Sequence, residues 1–208
     1  MRPGHSQLRA VILAIALLSA AWLSGCKTLS PTRATGGPPP SESWEVRRAA
    51  LQMHDRFDLN GRIAVAAAQE GFNAKLRWQQ HGTRSQVALD GPLGVGGVRI
   101  TADGDSLNVT NSRGQQLDSD AARSEIAAKL GFEPPIESLR YWVLGVPDPS
   151  QPAEEMLDAE QRLASLRQGG WEIAYNGYSV VNGQWLPTRL TLTRNDVRVK
   201  LLVDGWGS

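Results

Sequence analysis

With 208 residues and a mass of 22.6 kDa, the chain has the size of one domain, or of one domain and a tail. Charged residues at 21%, hydrophobic residues at 41% and a mean hydropathy of -0.31 exclude a wholly disordered chain and a multi-span membrane protein. A formal net charge of +1 leaves no global basic field for nucleic acid, and a single cysteine excludes an intrachain disulfide.

The first residues read as an export signal. Arg2 and Arg9 flank a polar start, and Val11 to Leu18 is an apolar run that stops near Leu23, too short and too abruptly broken for a spanning helix. The run ends in Leu23-Ser24-Gly25-Cys26, which resembles the bacterial lipobox Leu-x-Gly-Cys. That resemblance implies cleavage before Cys26 and acylation of its thiol and its new amine. Residues 1–25 are then a lipoprotein signal peptide. Lys27 follows where an Asp commonly signals inner-membrane retention in enteric-type lipoproteins, which points to the outer membrane, on its periplasmic face. Residues 26–43 are rich in Pro, Gly, Ser and Thr and read as a lipidated tether without a core. The other reading of this stretch is an uncleaved anchor with a buried cysteine.

Residues 44–208 are expected to form one domain. A helix capped by Ser41 or Ser43 runs to about Arg56, with Trp44, Leu51 and Met53 on its apolar side. The period then changes to two. Phe57, Leu59, Gly61, Ile63 and Val65 alternate with polar or small residues, Gly71 makes a turn, and Phe72, Ala74, Leu76 and Trp78 alternate with Asn73, Lys75, Arg77 and Gln79. One apolar face and one solvated face are the mark of an antiparallel sheet. Short strands follow at Ser85 to Leu89, Val98 to Ile100 and Leu107 to Val109. Helices are expected over 119–130 and 135–144, the second with Ile136, Leu139 and Val143 as its buried stripe and Trp142 nearby. After a loop from Asp148 to Ala153, strands resume at 159–167, 171–175, 178–181, 188–193 and 197–203. They are separated at Gly169-Gly170, Asn176-Gly177, Asn182-Gly183 and Asn195-Asp196. The fold class is α+β: a curved antiparallel sheet, an incomplete β-barrel, covered by a few helices.

Catalytic constellations are mostly absent. His5 leaves with the signal, and His54 and His81 stand alone. There is no HExxH, CxxC, Gly-x-Ser-x-Gly or Walker loop, so neither a metal nor a cofactor is expected. Gly91-Pro92-Leu93-Gly94-Val95-Gly96-Gly97 is glycine-rich but leads into a strand and lacks the Lys-Ser/Thr end of a phosphate loop. Its non-glycine members carry no charge, which is odd for a loop. Either Leu93 tucks into the core, or the loop is an apolar tip framed by glycines that meets lipid.

In order along the chain stand the lipobox, Leu59-Asn60-Gly61-Arg62-Ile63-Ala64-Val65, the strand ending Trp78-Gln79-Gln80, Gly91-Pro92-Leu93-Gly94, and Leu139-Arg140-Tyr141-Trp142-Val143-Leu144-Gly145-Val146-Pro147. Trp171 to Tyr178 and Val199 to Trp206 complete the series. From about Trp44 to Trp206 the chain resembles the LolB family, the outer-membrane lipoprotein receptors. The resemblance implies an incomplete antiparallel β-barrel lidded by helices around an apolar cavity. It also implies acceptance of triacylated lipoproteins from the periplasmic carrier LolA and their insertion into the outer membrane. Leu93 falls on the family's protruding membrane-insertion loop, here Gly91, Pro92, Leu93 and Gly94, although Asp90-Gly91 precedes Pro-Leu-Gly where some members have Asn. The residues expected to line the acyl cavity are Phe72, Leu76, Trp78, Val87, Leu89, Ile100, Leu139, Trp142, Val143, Trp171 and Ile173. Alternation alone gives an apolar face, and a full core produces the same pattern. The expected partners are a LolA-like carrier, triacylated cargo and outer-membrane lipid, with no nucleic acid and a monomeric receptor. A lipid-binding lipoprotein with another cargo remains a second reading, and a lipid hydrolase, without a visible nucleophile–base pair, a third.

Overall fold

A computed structural model of the chain describes residues 41–67, 70–91, 97–111, 113–130, 132 and 134–207. By compactness the chain divides into residues 1–35 and 36–208. The expected signal peptide, Cys26 and nearly all of the tether lie outside the described residues, as do Pro92, Leu93 and Gly94.

Helix α1 (Trp44–Gln52) leads into β1 (Arg56–Ala67), β2 (Glu70–His81), β3 (Arg84–Asp90), β4 (Val98–Asp103), β5 (Ser106–Thr110) and β6 (Gln116–Leu117). Helices α2 (Ser119–Leu130) and α3 (Ile136–Trp142) follow. Strands β7 (Ala153–Leu157), β8 (Leu163–Gln168), β9 (Trp171–Val181), β10 (Gln184–Arg194) and β11 (Val197–Gly207) complete the domain. All described strands form one antiparallel sheet in the order β6-β5-β4-β3-β2-β1-β11-β10-β9-β8-β7. The first and last strands pair at its centre, and β6 and β7 remain as two free edges. The fold is therefore the expected curved, incomplete barrel with a few helices.

The turn chemistry explains the meander. Gly82, Gly104 and Gly183 hold positive φ between β2 and β3, β4 and β5, and β9 and β10, and Asn195 does so before β11. Where the structure departs from the sequence reading, the causes are local. Gly71 is not a turn but pairs with Ala66 inside the β1–β2 hairpin. Asn176-Gly177 does not break the chain, because β9 runs through it and Gly177 faces Arg189 at a bulge on β10. The segment from Ala153 is an edge strand rather than the end of a loop, and the strand expected at 159–167 begins only at Leu163. α1 ends at Gln52, which leaves Met53 82% exposed instead of on the apolar side.

Gly61 sits at a register shift between β1 and β11, where an added Cβ would lie 2.4 Å from the backbone oxygen of Leu202. That oxygen belongs to the partner strand and cannot rotate away. Gly61→Ala is expected to force the two central strands apart and cost roughly 1–3 kcal/mol. Urea unfolding of the variant beside wild type measures it, and an unchanged midpoint would contradict the close approach.

Candidate functional site

The inward side chains form two packed clusters with an incompletely covered strip between them. The main cluster joins β1, β2 and β8 to β11 to α1 and to α3 with the turns after it. Trp142, Val143, Leu144 and Val146 are at most 2% exposed and lie in one cluster with Trp171 and Ile173. Trp142 and Trp171 meet at 6.5 Å, and the Tyr175 hydroxyl donates to the Trp142 carbonyl at 3.0 Å. The second cluster is small: Leu107 and Val109 of β5 under Ala122 and Ile126 of α2.

Between the clusters, register makes the pattern plain. One rung of paired residues runs Leu59, Trp78, Val87, Ile100, Val109 across β1 to β5. Its ends are buried, with Leu59 at 1% and Val109 at 3%, while Val87 and Ile100 in the middle are only half-buried. The next rung, Leu76, Leu89, Val98, repeats the gradient: Leu76 is buried, and Leu89 and Val98 are half-buried. Phe72 and Ile63 are half-buried on the same inward face, and Leu139 and Tyr141 of α3 are half-buried against the main cluster.

The expected lining therefore separates into two groups. Trp142, Val143, Trp171 and Ile173 are packed as core, with Leu76 and Trp78 also buried. Phe72, Val87, Leu89, Ile100 and Leu139 keep apolar surface open to solvent. Ile63, Val98, Ala102 and Tyr141 lie outside the expected lining and are partly buried against the two clusters. The signal for Ile63 and Val98 was already present, since each sits on an inward position of a strand with period two.

The strip borders the glycine-rich loop. β3 leaves the sheet at Asp90, opposite Lys75, and the chain returns at Val98, opposite Leu89. Gly91 and Gly97, the loop's two ends, are half-buried. Beyond Lys75 the β1–β2 hairpin runs on without a β3 partner among the described residues.

Polar groups hold α3 in place. Asp148 is buried and accepts from the Ser138 hydroxyl at 2.7 Å, the Ser150 N–H at 2.9 Å and the Ser150 hydroxyl at 2.7 Å. Buried Gln168 of β8 accepts from the Trp142 indole at 2.8 Å and donates to the Asp148 carbonyl at 2.8 Å. Burial works to raise the Asp148 carboxyl, but the hydrogen bonds from Ser150, Ser138 and Gln151 outweigh it and hold the group below its ordinary 3.8. A lowered carboxyl contributes stability above its ordinary value and loses it as pH falls through the lowered one. Asp148→Ala is expected to cost about 1–3 kcal/mol at neutral pH by leaving the two serines and Gln151 without their acceptor. The deficit against wild type should shrink below pH 4, which thermal unfolding at pH 7 and pH 3 measures. A deficit equal at both values would mean that the ionised form is not what those donors favour.

Arg47 is 3% exposed and donates to the carbonyls of Glu42 and Gln161, tying α1 to the turn before β8. Nothing in the sequence marked it, because an Arg on a helix usually faces water. Among the described residues no group of three His, Cys, Asp or Glu is placed to hold a metal.

A family model described as outer membrane lipoprotein LolB matches residues 55–206. The chain belongs to the LolB family of outer-membrane lipoproteins. Proteins named outer-membrane lipoprotein LolB are similar over nearly its whole length. That of Pseudomonas putida is 35% identical over 188 residues, covering 89% of this chain and 91% of its own. That of Pseudomonas aeruginosa is 32% identical over 200 residues, covering 96% of each, and that of Stutzerimonas stutzeri is 31% identical over 184 residues, covering 88% and 89%. A solved DUF1329 family protein of Desulfovibrio piger shares the fold at a TM-score of 0.54 and 7% identity, covering 78% of this chain and 89% of that one. The protein is thus an outer-membrane lipoprotein of the lipoprotein localisation system, lipid-anchored at that membrane.

Proposed function

We propose that the half-buried apolar strip of β2, β3 and β4 is the seat for the acyl chains of triacylated lipoproteins, received from a LolA-like periplasmic carrier and passed to the outer membrane. The observation that carries this reading is the strip itself. Val87, Leu89, Val98 and Ile100 point to the same side as a solid core on either flank, yet keep surface in water. Apolar surface left open between two cores is a cost in a free monomer and a gain when an acyl chain covers it.

Exposing three acyl chains costs tens of kcal/mol at about 0.8 kcal/mol per CH₂, so a carrier must hand them over face to face rather than release them. No nucleotide is bound in this scheme, and each acceptor binds the chains better than its donor. The receptor acts as a monomer and without catalysis, anchored through acylated Cys26 and the tether. The Leu93 tip enters the bilayer and opens the path for the chains.

Photo-crosslinkers at Val87 and Ile100, with a control on the outward-facing Arg99, test the seat. The expected result is acyl-chain adducts from the two inward positions and none from Arg99. Equal labelling from all three would overturn the seat. Depletion of the protein tests the pathway, since other lipoproteins should then fail to reach the outer membrane. Correct localisation after depletion, with acyl adducts still formed, would favour a lipid-binding lipoprotein with another cargo.

A further inference from the structure

The opposite face of the sheet carries a second feature. A groove of about 970 Å³ runs across β2, β1, β11 and β10 on the outward side, walled by Lys75, Arg62, Lys200 and Arg189 and floored in part by Ala64 and Leu202. Cross-strand register explains the grouping: Arg62 lies opposite Lys75 and Leu202, Ala64 opposite Lys200, and Arg189 opposite Leu202. Arg62 pairs with Asp204 at 2.8 Å, and Asp90 at the groove's rim is taken by Arg77 at 2.8 Å. Lys75, Lys200 and Arg189 are exposed and have no carboxylate partner among the described residues. Three of these four strands thus bring three uncompensated cations to one partly apolar depression.

We infer that this groove engages the headgroups of anionic phospholipid when the protein works at the membrane. The occupant follows from two things. The charge is complementary to a phosphodiester, and the apolar floor suits the glyceryl end of a lipid better than a hydrated acidic side chain. The groove also includes Asp90 and Gly91, the stem of the glycine-rich apolar loop, so it is continuous with the segment assigned to the bilayer. An acidic protein partner is the competing occupant. A carrier handing over acyl chains has to face the inward strip on the other side of the sheet, which leaves the outward face for lipid. The inference rests on the loop's assignment to the membrane, and the experiment separates the two.

The full lipidated protein is reconstituted through its own anchor into vesicles of phosphatidylcholine, alone or with one third phosphatidylglycerol. A water-soluble amine reagent then labels Lys75 and Lys200, read by mass spectrometry. The expected result is labelling several-fold slower with phosphatidylglycerol, reversed by 0.5 M salt as the ionic attraction is screened. The double variant Lys75→Glu, Lys200→Glu should still accept cargo, and should release it into phosphatidylglycerol vesicles no faster than into phosphatidylcholine alone. Labelling that is equal in the two vesicle types would overturn the inference. So would protection that appears only when the carrier protein is added, which would assign the groove to a protein. Should Leu93→Glu release cargo normally while phosphatidylglycerol still protects the lysines, the loop reading fails and the groove stands.

Discussion

Leu93→Glu is expected to fold, to accept cargo, and to fail at delivery. A tip leucine that enters lipid contributes roughly 1.5–3 kcal/mol. A glutamate loses that and adds the cost of bringing a charge toward hydrocarbon, up to about 3 kcal/mol at depth. Together these lower insertion by about a thousandfold, at about 1.4 kcal/mol per factor of ten. The acyl strip lies on β2, β3 and β4, and the loop only begins where β3 ends at Asp90, so binding of cargo should persist. Cargo then stalls on the protein. Were Leu93 a core residue, the same change would bury an unpaired charge and the domain would unfold. The measurement is thermal unfolding of the variant, with acceptance of cargo and release into liposomes followed separately. Wild-type release would defeat the insertion role, and loss of the fold would move Leu93 into the core.

The facing of the strands was legible because period two is a direct consequence of the pleat, and the hairpins at Gly82, Asn182-Gly183 and Asn195 because positive φ favours those residues. Three elements were misread for physical reasons. In Ala153-Glu154-Glu155-Met156-Leu157, adjacent glutamates and an exposed methionine hide an edge strand, where charge guards an unpaired backbone. Asn176-Gly177 has the composition of a turn, yet Gly177 is needed for space, since a Cβ there would lie 2.8 Å from the Thr188 hydroxyl. Gly71 likewise serves a close approach, with an added Cβ falling 2.9 Å from the Val65 carbonyl oxygen. What alternation does not contain is coverage. Val87 and Ile173 both occupy inward positions of regular strands, and only the placing of α2 over β5 and of α3 over β8 and β9 decides which one is open. α3 is distant in sequence from β8 and β9, and its seat depends on polar pins such as Gln168 and Asp148 that no hydrophobic pattern encodes.

That difference in coverage yields the second large effect. Ile173 is 0% exposed in the main cluster, paired across the sheet with Leu166 and Leu192, whereas Val87 and Ile100 are half-buried. Ile173→Ala should leave a cavity that its neighbours cannot fill, at a cost of about 2–5 kcal/mol. For a domain of this size that lowers the melting temperature by roughly 4–20 °C. Binding of cargo by the molecules that remain folded should change little. The double variant Val87→Thr, Ile100→Thr keeps β-branched residues on both strands, so its stability should fall by no more than about 1 kcal/mol. Each new hydroxyl, however, would lie against an acyl chain without a partner, at about 1–3 kcal/mol apiece. Affinity for a triacylated peptide should therefore drop tenfold or more. Calorimetric unfolding and cargo binding on both variants separate core from seat. If the threonine pair costs as much stability as Ile173→Ala, the strip is closed core and has no room for a chain. If it binds cargo as wild type does, the chains lie elsewhere on the inward face.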